Sequence, residues 1–165
     1  MPASNSLPGL LLEDSGIRKV LRSLEWVAFN IPRVTSATGV ALLAGLVGVH
    51  LYIMLATVQW PVWLIVYYAA LIIAWAVAAI LVVTGRSVAT AQIGWCIGDL
   101  ASTVFLVVYL VSRSIGLPGA PYLRGWWDFA PGTFGIAFAL GFLGLHTSML
   151  LGVMIARPQR RNWRD

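Results

Sequence analysis

Residues 62–84 read VWLIVYYAALIIAWAVAAILVVT, a run without one charged side chain. A helix of that length rises about 35 Å, enough to cross the roughly 30 Å of hydrocarbon in a bilayer. The run is too long and too uniformly apolar for a barrel strand, which alternates and needs only about ten residues. Three further runs of the same kind flank it, at about 35–58, 90–112 and 132–156. The expected fold is all-α: an integral membrane four-helix bundle preceded by an N-terminal amphipathic helix at the interface.

Composition agrees. The 165 residues are 59% hydrophobic and only 10% charged, too little charge to cover a water-soluble domain. The net charge of +5 does not point to nucleic acid, because the basic residues avoid the apolar runs. With the N-terminus inside, Arg18, Lys19, Arg22, Arg33, Arg86, Arg157, Arg160, Arg161 and Arg164 are cytoplasmic. Only Arg113 and Arg124 are external. That bias predicts a multi-pass protein of the cell membrane with both ends inside. The organisation expected is a cytoplasmic segment over 1–34, a four-span domain over 35–156 and a basic tail over 157–165. No cleavable signal is expected, since the first dozen residues carry no positive charge and Leu10–Leu12 is too short an apolar core.

Ahead of the first span, Asp14 and Ser15 suit a helix start. Ile17, Val20, Leu21, Leu24 and Val27 then recur at helical spacing, with Arg18, Lys19 and Arg22 on other faces. Pro32 is expected to end this helix. The pattern fits a helix lying on the membrane surface or docked on a partner subunit. Trp60, Trp63, Tyr67 and Tyr68 form an expected interfacial belt. The loop SIGLPGAPYLRGWWDFAPG, 114–132, brings Trp126 and Trp127 to the same interface.

The third span carries the chemistry. Gln92, Cys96, Asp99, Thr103 and Leu106 share one side at spacings of three and four, with Trp95, Ser102, Tyr109 and Arg113 close by. Asp99 lies about 12–14 Å into the membrane. A carboxylate there faces protein or water, as a functional group or as a structural tie within the bundle. Both histidines are also intramembrane, in matching hexapeptides: GLVGVH ending at His50 and GFLGLH ending at His146. Glycines allow close helix approach, and Gly144, Ser148 and Gly152 extend one such stripe as Ala37, Ala41 and Gly45 extend another.

Two histidines on antiparallel helices suggest bis-histidine ligation of a b-type haem. Their estimated depths of about 20 and 15 Å weaken that reading. His146 and Asp99 match in depth better. As a pair they satisfy each other, either as a fixed hydrogen bond or as a proton relay. Arg113, at the end of the third span, suits the helix dipole and can snorkel to the headgroups. Cys96 is the only cysteine, so no intrachain disulfide or cysteine-based metal site is expected. No nucleotide-binding, nucleophile-elbow or paired-carboxylate motif occurs, so no catalytic residues are assigned.

HLYIMLA (50–56), QWP (59–61), TGR (84–86) and above all VSRSIGLPG (111–119) resemble small four-span membrane proteins, chiefly actinobacterial, of uncharacterised activity. The resemblance covers nearly half the chain. It implies a bacterial membrane protein and marks His50 and Arg113 as positions shared with that group.

The function expected is a non-catalytic accessory subunit of a larger membrane complex, of respiratory or other redox type. Its partners are the lipid bilayer and other membrane subunits, not nucleic acid, and no cofactor is assigned. One alternative is a membrane anchor binding haem b or a quinone through His50 and His146. Another is a small proton-coupled transporter or channel using Asp99 and His146.

Overall fold

Pro32 opens the first helix of the described residues. It is the first residue of α1, where its missing N–H forfeits nothing, and Ile31 accepts from the amide of Thr35 at 3.0 Å. The computed structural model describes residues 31–56 and 60–158. The surface helix expected over Ile17–Val27 and the tail arginines 160, 161 and 164 lie outside those residues.

Among the described residues four α-helices follow one another: α1 (Pro32–Ala56), α2 (Val62–Thr84), α3 (Val88–Ser114) and α4 (Ala130–Leu150). Each is long and apolar enough to cross a bilayer, so the chain is an all-α, four-span membrane bundle. They pack as a ring. α1 lies against α2 and α4, and α3 lies against α2 and α4; the α3–α4 seam is the least extensive. Short links make neighbours antiparallel. The α2–α3 link is capped by Ser87, whose hydroxyl accepts from the Thr90 amide at 3.1 Å. Arg33, Arg86 and Arg157 mark the end of the bundle holding that link, here termed the basic end. The opposite end carries the 115–129 loop.

The fourth span departs from the expected 132–156. Helix α4 stops at Leu150 because Gly152 adopts φ +75. The amide of Gly152 donates to the Met149 carbonyl at 3.0 Å, and that of Val153 to Ser148 at 2.9 Å. This is a Schellman ending, which needs a residue free to enter the left-handed region. Gly152 therefore terminates the helix and does not extend a packing stripe. The chain still reaches the level of the start of α1, where the Arg157 amide donates to the hydroxyl of Ser36 at 3.0 Å. The second span falls on the expected 62–84, the first begins three residues before its expected start, and the third extends two residues beyond expectation at each end.

Lipid tails are as apolar as leucine, so packing rather than water exclusion holds such a bundle together. Here rings fill the space beside glycines. A Cβ on Gly39 would strike the indole of Trp95, one on Gly98 the ring of Phe142, and one on Gly132 the ring of Tyr109. Trp75, Trp95, Phe142, Leu43 and Leu46 form the fully buried centre. The expected aromatic belt splits. Trp63 and Trp127 are exposed, whereas Tyr67 packs beneath the loop and Tyr68 turns inward onto His50.

Candidate functional site

α3 presents two different faces to the rest of the molecule. Trp95, Ser102, Phe105 and Tyr109 point into the bundle and are buried. Ser102 is absorbed there, accepting from the Trp75 indole N–H at 3.3 Å. Gln92, Cys96, Asp99 and Thr103 lie along the seam with α4, where Cys96 and Thr103 are exposed and Gln92 and Asp99 half-buried. The stripe was expected to face protein. It does so only in part, because α4 covers one side of it and leaves the other on the outer surface of the bundle.

His146 of α4 reaches across this seam. Its Nδ1 lies 2.5 Å from Oδ2 of Asp99, and its Nε2 lies 2.9 Å from Nε2 of Gln92. One proton arrangement satisfies both contacts: Nδ1–H donates to the carboxylate, and the Gln92 amide donates to the bare Nε2. Turning the glutamine amide over would let its oxygen accept from a doubly protonated ring, so the same three side chains can hold the imidazolium form. Trp95 stacks on the imidazole with centroids 5.5 Å apart, and Phe142 stacks on Trp95 at 5.0 Å. His146 is almost fully enclosed, whereas 28% of the Asp99 side chain stays at the surface. Gln92 also approaches Cys96, at 3.8 Å from Sγ. No cluster of three or more histidine, cysteine or acidic side chains suited to a metal occurs among the described residues.

His50 has no such connections. Its Nδ1–H donates to the Leu46 carbonyl at 2.8 Å, one turn back in α1. Tyr68, Trp75 and Phe105 box in the ring at centroid distances of 5.5, 4.7 and 4.8 Å. Its Nε2 is buried with no hydrogen-bond partner among the described residues.

The two hexapeptides explain this separation. Gly45 of α1 faces the ring of Phe138, and Gly141 of α4 faces the side chain of Leu42. The first glycine of each hexapeptide thus receives a side chain from the other helix, near one crossing point. The helices are antiparallel, so each histidine is carried away from that point in the opposite direction. Position 50 falls level with about 133, leaving His146 about thirteen residues, or roughly 20 Å, further along the bundle. One haem iron cannot take both rings as axial ligands across that distance. The second glycines, Gly48 and Gly144, have nothing near a Cβ position and open to the bundle exterior.

Arg113 does not snorkel. It is 5% exposed and turned inward beneath the loop. Nη1 donates to the Leu123 carbonyl at 3.1 Å, and the guanidinium sits over Tyr109 at 4.8 Å, Trp126 at 5.4 Å and Phe129 at 5.9 Å. Its own carbonyl accepts from the Gly125 amide at 2.8 Å. The arginine therefore staples the 115–129 loop to the end of α3. Tyr109 and the loop aromatics were visible in the sequence, but the inward turn was not, because a terminal arginine suits the headgroup region equally well.

Comparison of the chain with known protein families, with curated proteins and with solved structures gave no match in any of the three.

Proposed function

We propose that the chain is a non-catalytic accessory subunit of a larger membrane complex, held to a partner subunit through the α3–α4 seam. One observation carries this reading. The polar stripe Gln92, Cys96, Asp99 and Thr103 reaches the outer surface of the bundle within a membrane span. Oδ1 of Asp99 is buried beside that stripe with no hydrogen-bond partner among the described residues, and a carboxylate in hydrocarbon costs about 2.5–3.5 kcal/mol on insertion scales, a cost that a polar partner helix against the seam lowers. Polar side chains of this kind are also what joins helices inside a bilayer. The basic asymmetry supports an orientation with both ends cytoplasmic, and the absence of catalytic motifs supports a structural role.

The test is the size and content of the particle extracted from native membranes in mild detergent. The expected result is a complex containing at least one different chain, from which Asp99→Leu releases a folded four-span protein. Migration of the wild-type chain as a monomer, or solely with copies of itself, contradicts the reading.

A second reading is favoured by the His146 network itself. A buried imidazole hydrogen-bonded to a carboxylate gives a proton two adjacent sites within a membrane span, and the Gln92 amide holds the ring in place. A small proton-coupled transporter predicts proton flux into liposomes from the isolated chain, abolished by His146→Leu. The accessory-subunit reading predicts no flux above that of protein-free liposomes.

A further inference from the structure

A groove of about 1010 Å³ opens between α1 and α2 at the basic end, on the side of the ring away from the α3–α4 seam. Its mouth is lined by Arg33 at the start of α1, Arg86 in the α2–α3 link and Arg157 in the tail after α4. All three are exposed. Its wall along α1 is Ala37, Ala41 and Ala44, small residues that deepen the cleft, and α2 supplies Val82 and Val83 opposite. The only carboxylates among the described residues are Asp99 and Asp128, and neither lines the groove.

A topology signal alone needs arginines on the correct side of the membrane, pointing anywhere. Here three segments distant in sequence bring one guanidinium each to a single mouth. Below that mouth the walls turn apolar and face the membrane. This order, cationic at the helix ends and apolar toward the bilayer centre, matches an amphiphile whose head is anionic and whose tail is a hydrocarbon chain. Arginine forks suit phosphate oxygens in particular.

We propose that this groove is a specific site for a diacyl phospholipid with a net anionic headgroup. The phosphate is held among Arg33, Arg86 and Arg157, and one acyl chain lies along Ala37, Ala41 and Ala44. The site is independent of the α3–α4 seam and does not rest on the subunit reading.

Native mass spectrometry of the full chain in detergent tests it, with dioleoyl phosphatidylglycerol, dioleoyl phosphatidylcholine and inorganic phosphate as separate probes. The expected result is retention of phosphatidylglycerol at least ten-fold above phosphatidylcholine, with inorganic phosphate not retained. The triple variant Arg33→Gln, Arg86→Gln, Arg157→Gln loses that preference. Ala41→Phe fills the cleft without touching the charge, and it lowers retention at least five-fold while the helical circular dichroism is unchanged. Equal retention of both lipids overturns the proposal, as does retention of inorganic phosphate alone. Unaltered retention by Ala41→Phe also overturns it, because attraction to diffuse surface charge needs no cleft. So does a photo-cross-linker at Ala41 that captures residues 1–30 instead of lipid, which assigns the groove to the chain's own N-terminal segment.

Discussion

His50 and His146 end the same six-residue pattern, yet one is sealed and the other connected. His50 lies in a box of Tyr68, Trp75 and Phe105 and bonds only to its own helix. His146 spans a helix seam to Asp99 and Gln92, beside a stripe that reaches the outside of the bundle. The hexapeptide decides how α1 and α4 cross, through Gly45 on Phe138 and Gly141 on Leu42. It does not decide what the histidine does. That is set by α3, which offers Phe105 at one level and Asp99 at the other. A histidine inside a membrane span is therefore a functional candidate only once its neighbours on other helices are known.

The largest expected effect follows from removing the connected histidine alone. His146→Leu leaves Asp99 without its partner inside the bundle and should destabilise the chain by about 3–5 kcal/mol. Unfolding by sodium dodecyl sulfate titration measures this. Restoration of most of that loss in the double variant His146→Leu, Asp99→Leu shows that the stranded carboxylate is the cause. A loss of less than about 1 kcal/mol in the single variant erases the distinction between the two histidines.

Arg113 comes next. Arg113→Leu removes the bond to Leu123 and the contact with three rings, and should cost about 2–4 kcal/mol. It should also raise amide hydrogen exchange over 120–129. Stability lost without faster loop exchange means that the arginine is not the staple described.

Gly39→Ala drives a methyl into the indole that stacks on His146 and should cost about 1–3 kcal/mol by overpacking. Gly48→Ala, at a position with nothing nearby, serves as its neutral counterpart.

Apart from that control, the smallest effect is expected at the sealed site. His50→Leu forfeits one hydrogen bond to Leu46 but removes a buried nitrogen that has no partner, so its net change should stay within about 1 kcal/mol. A loss comparable to that of His146→Leu points to an interaction of Nε2 beyond the described residues.

Much of this was legible in the sequence, and the exceptions share a cause. Span positions follow from apolar length, so α2 was placed to the residue and the starts of the others within three, whereas the end of the fourth was set six residues too late. The Asp99–His146 contact followed from depth, even though α4 ends six residues early; the tail after Gly152 continues to the level of Pro32 and preserves the match. The separation of the histidines was underestimated at about 5 Å, because depth counted from uncertain helix ends ignores the antiparallel crossing register. The inward turn of Arg113 and of Tyr68 was also hidden, since arginine and tyrosine suit the interface as well as the interior. Which side of α3 would be left open depends on where α4 lies, and periodicity along one helix carries no such information.

The central claim is that the open side of the α3–α4 seam is completed by another protein. The direct measurement is photo-cross-linking in native membranes from a probe placed at Thr103, on that seam, compared with one at Ile73 on the exposed side of α2. The account predicts a defined adduct with a different membrane protein from position 103, reduced at least five-fold by Asp99→Leu, and only lipid adducts from position 73. Lipid adducts alone from both positions, or equal protein adducts from both, would contradict it.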